Sequence, residues 1–421
     1  MNGRKLLDDC FLHDTQRMRH DDVLALLAKR LRQTVGNETV MLNDAIGRTC
    51  DQDTASAIAV PRSDNAAVDG YAFAHHDYHL QDGKLRIAGT TSAGMPAQTL
   101  EGSTAGRIYT GAIMPKGADS VAMQEDCKRD GDFVQIPAGI KLGANCRLRG
   151  EDVQQGTFIA KAGHVLGPAH IAAFASVGMA SLTVRKKLRV GILSTGDEIV
   201  QPGTRAEPHQ VYDANRPMLA ALLANPSVDV TDLGHLPDNL EVLSKAAAAA
   251  ASSLDMIITT GGASRGGEDH MLDVLDRLGK CHVWQIAVKP GRPMMFGQIG
   301  DCVLLGLPGN PVAAFVCTLL YVRPTMALLM GIAHRQPRAF MLPAGFAVPN
   351  KKKDRREFAR AWRDENGVAQ KFTRDGSGLI SGLVAAGGLI DLPEETSSVA
   401  KGDLVRFIPL SEFDIAHKDQ P

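Results

Sequence analysis

The sequence predicts a multidomain chain of the α/β plus β-rich class, and three observations carry that expectation. The chain has 421 residues, more than a single domain of ~100–200 residues usually holds. Residues 188–330 alternate short apolar runs with helical patterns. The stretches on either side instead string short β-type runs between glycine and proline turns.

The elements follow in order. Leucines at 24, 26, 27 and 31 mark an amphipathic helix over residues 21–35. From about 55 to 160, Leu85-Arg86-Ile87, Arg107-Ile108-Tyr109, Ser120–Met123 and Phe133–Ile136 read as short strands between turns. Gly167-Pro168 opens a short helix over His170–Val177. Strands then follow at Leu188–Leu193, Val228–Leu233, Met256–Thr260, Val283–Val288 and Val303–Leu307. Helices are expected at Pro217–Ala224, Leu240–Ser253, His270–Leu278 and Pro311–Met330. In the third of these, Met271, Val274, Leu275 and Leu278 repeat at i, i+3, i+4, i+7. Repeated βα units imply a mostly parallel sheet with helices on both faces. The alanine run Ala246–Ala251 asks for nothing beyond a well-formed helix. After Gln336-Pro337, a basic run over 351–356 and a glycine-rich β-type tail to about 410 form a separate small domain. Residues 411–421 are polar and read as a loose end.

Composition excludes several classes. Net charge is −1 and aromatic residues are 5%. A nucleic-acid binder carries a basic footprint and stacking surfaces that this chain lacks. No segment approaches the ~18 uninterrupted apolar residues of a membrane helix, and the N-terminal Leu6-Leu7 is too short a run for a signal peptide. The seven cysteines are odd in number and include no CxxC, so a reduced, cytoplasmic protein without a disulfide or zinc framework is expected.

In an open parallel sheet, ligands bind at the carboxyl ends of the strands. The loops there are Ser194-Thr195-Gly196-Asp197-Glu198, Gly234–Asp238, Thr259–His270, Lys289-Pro290-Gly291-Arg292-Pro293 and Pro308-Gly309-Asn310-Pro311. Glycines and helix N-termini offer N–H groups to an anion, and Lys289 and Arg292 add fixed positive charge. The carboxylates Asp197, Glu198, Asp238, Glu268 and Asp269 would repel that anion unless a cation lay between. Mg²⁺ takes one or two carboxylates plus phosphate oxygens, so a polyanionic, phosphorylated substrate with Mg²⁺ is expected. Simpler readings stand beside these: Asp269 as a helix cap, and Ser194–Glu198 as turn chemistry. His75-His76-Asp77-Tyr78-His79 reads as a polar loop, because no cysteine or second histidine pair completes a metal site. There is no Walker A motif, no GxGxxG and no spacing that nominates a Ser-His-Asp triad.

Ten stretches, in order, carry a resemblance: DNAAVDGYA, TGAIMPKGADSVAMQED, LRGEDV, GILSTGDEI, VYDANRPML, TTGGASRGGEDH, AVKPGRPMMFG, LPGNPVAAF, RREFARA and GSGLISGLVAAGGLIDLPE. Together they resemble the molybdopterin molybdenumtransferases, the MoeA family to which the gephyrin E domain also belongs, from about residue 20 to about 408. The resemblance implies three regions. Residues 1–185 would be a segmented N-terminal region with an inserted β-rich domain. Residues 186–334 would be the α/β molybdopterin-binding domain, and residues 335–421 a β-barrel-like C-terminal domain.

It implies an elongated homodimer that inserts molybdate into adenylylated molybdopterin, releasing AMP with the help of Mg²⁺. The enzyme supplying the substrate, a molybdopterin adenylyltransferase, and the molybdenum enzymes receiving the product would be its partners; nucleic acid and membrane would not. By resemblance, Asp69, Glu198, Asp238, Asp269 and Lys289 are catalytic, and Glu198, Asp238 and Asp269 handle the metal. Thr110, Asp152, Thr195, Gly261, Gly262, Ser264, Arg265, Arg292, Pro308 and Asn310 bind substrate, with Asp69, Thr110 and Asp152 reaching the cleft from the partner subunit. A non-catalytic molybdopterin carrier or scaffold remains the alternative, and the retained acids favour catalysis. The family's usual pattern has a serine where Ala66 stands, methionine for Val68, valine for Arg265 and lysine for Arg292. The last change keeps the charge and adds a planar fork for an oxyanion.

Overall fold

The computed structural model describes residues 17–262, 270–332, 336–372, 376 and 378–415. The N-terminal region starts with helix α1 (His20–Arg30), which carries Asp21 and Asp22 in its first turn and Lys29 and Arg30 in its last. That order of charge complements the helix dipole. Val23 and Leu27, one turn apart, are buried. Strand β1 (Asn37–Met41) follows. A six-stranded sheet comes next in the chain: β2 (Gly70–Phe73), β3 (Lys84–Thr91), β4 (Thr104–Ile108), β5 (Ser120–Met123), β6 (Lys128–Asp130) and β7 (Phe133–Gln135), in spatial order β5-β2-β4-β3-β7-β6. Helix α2 (His75–Leu80) lies between β2 and β3. It corrects the expected polar loop: Tyr78 is buried and stacks on Phe73, which pulls this histidine-rich stretch onto the sheet as a helical turn. After α3 (Pro168–Ser176), strand β8 (Ser181–Arg185) pairs antiparallel with β1. The sheet of β2–β7 is thus inserted, in sequence, between two strands that bond to each other.

The α/β region is built from β9 (Leu188–Thr195), α4 (Asn215–Leu223), β10 (Val228–Leu236), α5 (Leu240–Ala251), β11 (Met256–Thr260), α6 (Met271–Leu278) and β12 (Lys280–Trp284). After the short β13 (Val288–Lys289) come β14 (Met295–Ile299), β15 (Cys302–Leu307) and a long helix α7 (Pro311–Met330). The spatial order is β10-β9-β11-β15-β14-β12; the first four strands are parallel and the last two contacts antiparallel. The mostly parallel sheet holds, with one strand more than the apolar runs announced: β14 forms a hairpin with β15 across Gly300-Asp301.

Asn239 caps α5, its side chain accepting from the N–H groups of Glu241 and Val242 at 3.1 Å each. Met271, Val274 and Leu275 bury the expected face of α6, each stabilising by roughly 1.5–3 kcal/mol relative to exposure. Among the described residues α7 is long and apolar enough to cross a membrane, yet 89% of its most apolar window is buried inside the protein. It is a core helix.

The expected strand Val283–Val288 is two strands in different sheets. β12 ends at Trp284, and Gln285 takes a positive φ of 66° that breaks it. β13 then pairs in parallel with β17 of the C-terminal domain, Val288 opposite Arg356 and Lys289 opposite Glu357. That domain consists of β16 (Phe340–Pro343), β17 (Arg356–Arg363), β18 (Ala369–Lys371), β19 (Gly388–Leu392) and β20 (Leu404–Pro409), in order β13-β17-β19-β20-β16 with β18 on β17. A bridge from Ala344 to Ala369 joins the end of β16 to β18 and closes the sheet into a small barrel, around a core that includes Ile390, Leu392, Val405 and Phe407.

Candidate functional site

The carboxyl ends of β9, β11 and β15 meet at one edge of the parallel sheet. Gly261 and Gly262 follow β11 with φ of 91° and 67°. A Cβ on Gly261 would lie 2.4 Å from the Thr195 carbonyl oxygen, and one on Gly262 would lie 2.8 Å from Met271 Cγ. Only glycine satisfies both the left-handed backbone and this contact with Thr195. Asn215, at the start of α4, donates through Nδ2 to Thr260 Oγ1 (2.6 Å) and to the Gly309 carbonyl (2.7 Å). It thereby ties the end of β11 to the Pro308–Asn310 loop. Thr195, Gly261, Gly262, Pro308 and Asn310 are brought together here. Thr195 Oγ1, Asn215 Oδ1 and Asn310 Oδ1 are buried with no partner among the described residues. Buried polar groups seldom stay unpaired, so these three atoms mark a place for a polar ligand.

One strand away, the loops after β9 and β10 bring carboxylates together. The Asp238 N–H donates to Asp197 Oδ1 at 3.2 Å, and His235 Nε2 bonds the Gly196 carbonyl at 2.8 Å. Glu198 folds back beside Gly196. Asp238 and Glu198 therefore belong to one neighbourhood. Among the described residues no three His, Cys, Asp or Glu side chains form a group able to hold a metal ion. Such a donor set suits a cation that takes one or two carboxylates and completes its shell with substrate oxygens and water. Ser264, Arg265 and Asp269 lie outside the described residues.

The pairing of β13 with β17 opens a cavity of about 640 Å³ between the α/β region and the barrel. Lys289, Arg292, Pro308 and Asn310 line one wall; Lys351, Arg355, Arg360 and Lys371 line the other. Glu357 lies between them, Oε2 at 3.5 Å from Lys289 Nζ and Oε1 at 3.0 Å from Arg355 Nε. Arg360 is buried and donates to the Leu379 and Gly376 carbonyls at 2.6 and 3.0 Å, which fixes its guanidinium. Lys351 is buried too, its Nζ donating to the carbonyls of Arg355 (2.7 Å) and Lys352 (3.1 Å). Burial pulls the Lys351 ammonium below its usual range, against the opposing pull of Glu357 and Glu394.

Arg355, Arg360, Lys351 and Lys371 were not among the residues assigned a site role from sequence. The basic run and RREFARA were visible, but nothing in their spacing says that a barrel wall faces the Lys289 loop.

Asp69 and Thr110 are brought together on the inserted sheet, away from this cavity. Asp69 Oδ1 accepts from Thr110 Oγ1 at 2.6 Å and from its N–H at 2.8 Å, bonds that hold the exposed carboxyl below the usual range. Arg107 stacks over Tyr109, 4.7 Å from the ring centre. Asp152 is held through its backbone N–H to the Val60 carbonyl at 3.1 Å. Among the described residues no hydrogen bond or ion pair links Asp69, Thr110 or Asp152 to the strand-end loops of the α/β sheet.

A parallel sheet with glycine loops and unpaired polar atoms at its carboxyl edge, beside a cation-lined cavity walled by a second domain, is an arrangement suited to a polyanionic small molecule. Comparison with known proteins is specific. Residues 18–178 match the MoeA N-terminal region (domains I and II), 191–327 a probable molybdopterin-binding domain, and 343–410 the MoeA C-terminal region (domain IV). The chain is 37% identical over 405 residues to the molybdopterin molybdenumtransferase of Haemophilus influenzae, covering 93% of this chain and 98% of that protein. It is 32% identical to molybdopterin molybdenumtransferase 2 of Mycobacterium tuberculosis over 91% and 96% of the two chains. Two structures of the Pyrococcus horikoshii MoeA protein superpose with TM-scores of 0.81, at 28% and 26% identity over 94% of this chain and 99% and 100% of theirs. The chain belongs to the MoeA family of molybdopterin molybdenumtransferases.

Proposed function

We propose that the chain inserts molybdenum, supplied as molybdate, into adenylylated molybdopterin and releases AMP. The observation that carries this reading is the cavity between Lys289 and Arg292 on one wall and Arg355, Arg360 and Lys371 on the other. Fixed cations in a half-enclosed space bind a tetrahedral dianion far better than bulk water allows. At about 640 Å³ the cavity has room for the anionic end of an organic substrate beside the oxyanion. Pro308 and Asn310, which line it, also belong to the strand-end loop after β15.

There, the Gly262 N–H approaches a phosphate oxygen, while the Gly261 N–H donates to the Leu307 carbonyl at 3.3 Å and holds the turn in place; Thr195 Oγ1 donates, and Asn310 Oδ1 accepts from a substrate N–H or O–H. Water adds across the phosphoanhydride, giving AMP and the phosphate monoester of the product. Mg²⁺, when bound, neutralises the phosphoanhydride oxygens. Glu198 and Asp238 are the described residues that would hold it, with Asp269 as the third acid. Asp69, Thr110 and Asp152 complete the cleft from the partner subunit of a homodimer. That all six described cysteines are free supports a reducing, cytoplasmic setting.

The test is AMP release from adenylyl-molybdopterin by the full-length protein. Release is expected to require both molybdate and Mg²⁺, and to fall at least 100-fold in Lys289→Ala, where a transition-state charge contact is lost. Binding of the substrate with no AMP release would overturn the catalytic reading in favour of a carrier.

A further inference from the structure

Glu357 is out of place in a cavity built for an anion. Among the described residues that line it, eight are lysine or arginine and one, Glu357, is acidic. Its position is built into the backbone, because the parallel register of β13 and β17 sets Glu357 opposite Lys289. Its two oxygens reach cations from both walls, Lys289 from the α/β region and Arg355 from the barrel. The carboxylate side chain lines the cavity and is only 16% exposed, so its charge is screened less than a surface charge would be.

We propose that Glu357 is a tethered internal anion that competes with the incoming oxyanion for Lys289 and Arg355 and sets how tightly the cavity holds it. The proposal rests on the reading of this cavity as an oxyanion site. Without ligand, the carboxylate balances a cluster of like charges that would otherwise repel one another. With ligand, it stands within Coulomb range of a dianion and weakens the complex. The chemistry makes use of that weakening. An oxyanion that must be surrendered to the dithiolene gains nothing from a deep ground state, because affinity not matched in the transition state slows turnover. Glu357 is therefore a positioning residue for the cavity cations and a brake on ground-state binding.

The experiment is calorimetric titration of the full-length protein with sodium molybdate, and with sulfate as an unreactive tetrahedral dianion, at low and moderate salt. Glu357→Gln keeps the shape and removes the charge; Glu357→Ala serves if Gln folds poorly; Glu357→Asp keeps the charge. Both neutral variants are expected to bind each anion about tenfold or more tightly at low salt, the gain shrinking as salt screens it, while Asp stays near wild type. In turnover assays the Gln variant should lower KM for molybdate and kcat together.

A strut without electrostatic competition predicts the opposite: weaker binding in Gln, with a lower melting temperature. Unchanged or weaker binding in a folded neutral variant, with wild type binding molybdate and Lys289→Ala losing it, overturns the proposal and leaves the cavity reading standing. If wild type binds neither anion, and Lys289→Ala and Arg360→Ala behave like it, the cavity reading falls and this inference falls with it.

Discussion

Ala66 looks, in the sequence, like a hydroxyl lost from a substrate-facing motif. In the fold it is fully buried in an apolar cluster with Ile108, Ala112, Met114 and Val121, and its N–H donates to the Ala112 carbonyl. The change belongs to packing beneath the Asp69 turn, and the serine-to-alanine departure opens no polar subsite. Asp69 itself is testable by titration. Its carboxyl is held down first by the Thr110 hydroxyl, so Thr110→Val should return its NMR-detected pKa toward the ordinary aspartate value. No rise in Thr110→Val would show that the bond does not persist in solution.

His20 offers a pH prediction of another kind. It is buried, bonds Tyr321 Oη at 2.8 Å, and its pKa is lowered to about 4, chiefly by burial and then by Arg356. A base whose folded pKa lies below its unfolded value of ~6.5 contributes stability that is whole above pH ~6.5 and is lost as pH falls toward the folded value. Between pH 7 and pH 5 the loss is about 2 kcal/mol. Chemical denaturation at the two pH values checks it, and His20→Gln should flatten that part of the slope.

Among the elements, the glycine turn after β11 and the short strand β13 decide the site. Gly262→Ala must place a side chain at φ 67° and 2.8 Å from Met271 Cγ. The left-handed conformation alone costs about 1–2 kcal/mol, so a denaturant midpoint shift of that order is expected, together with loss of substrate binding. A variant as stable as wild type would mean the turn tolerates a Cβ. β13 shows why an apolar run can mislead. Val283–Val288 carries β-favouring Val283, Trp284, Ile286 and Val288, and no local signal marks the positive φ at Gln285. That one residue sends Lys289 out of the α/β sheet and against the barrel. The histidine-rich α2 is the converse, where a polar surface stretch became helical because Tyr78 had a core to enter.

For the whole molecule, the proposed homodimer would bring Asp69 and Thr110 of one subunit to the strand-end loops of the other. Mixing two inactive variants, Asp69→Ala and Lys289→Ala, under conditions that exchange subunits should then restore about a quarter of wild-type activity, because half the dimers are mixed and each carries one intact site. No recovery after verified exchange would place both residues' contributions within a single chain. Arg360→Ala should weaken molybdate binding at least tenfold while leaving the substrate's organic part bound, since the guanidinium belongs to the barrel wall.

The amino-acid pattern by itself determined the βα alternation, the faces of α1 and α6, the β-rich texture from about 55 to 160 and the loops that carry Thr195, Gly261, Gly262, Pro308 and Asn310. Those follow from periodicity, glycine and strand ends, all local in the chain. Only the tertiary structure decided that Lys289 faces Arg355 and Arg360 across a cavity, with Glu357 between them. That arrangement depends on strand pairing between residues 68 apart in the sequence, Lys289 and Glu357. Long-range register of this kind is set by how two packed cores dock, which no local window of residues contains.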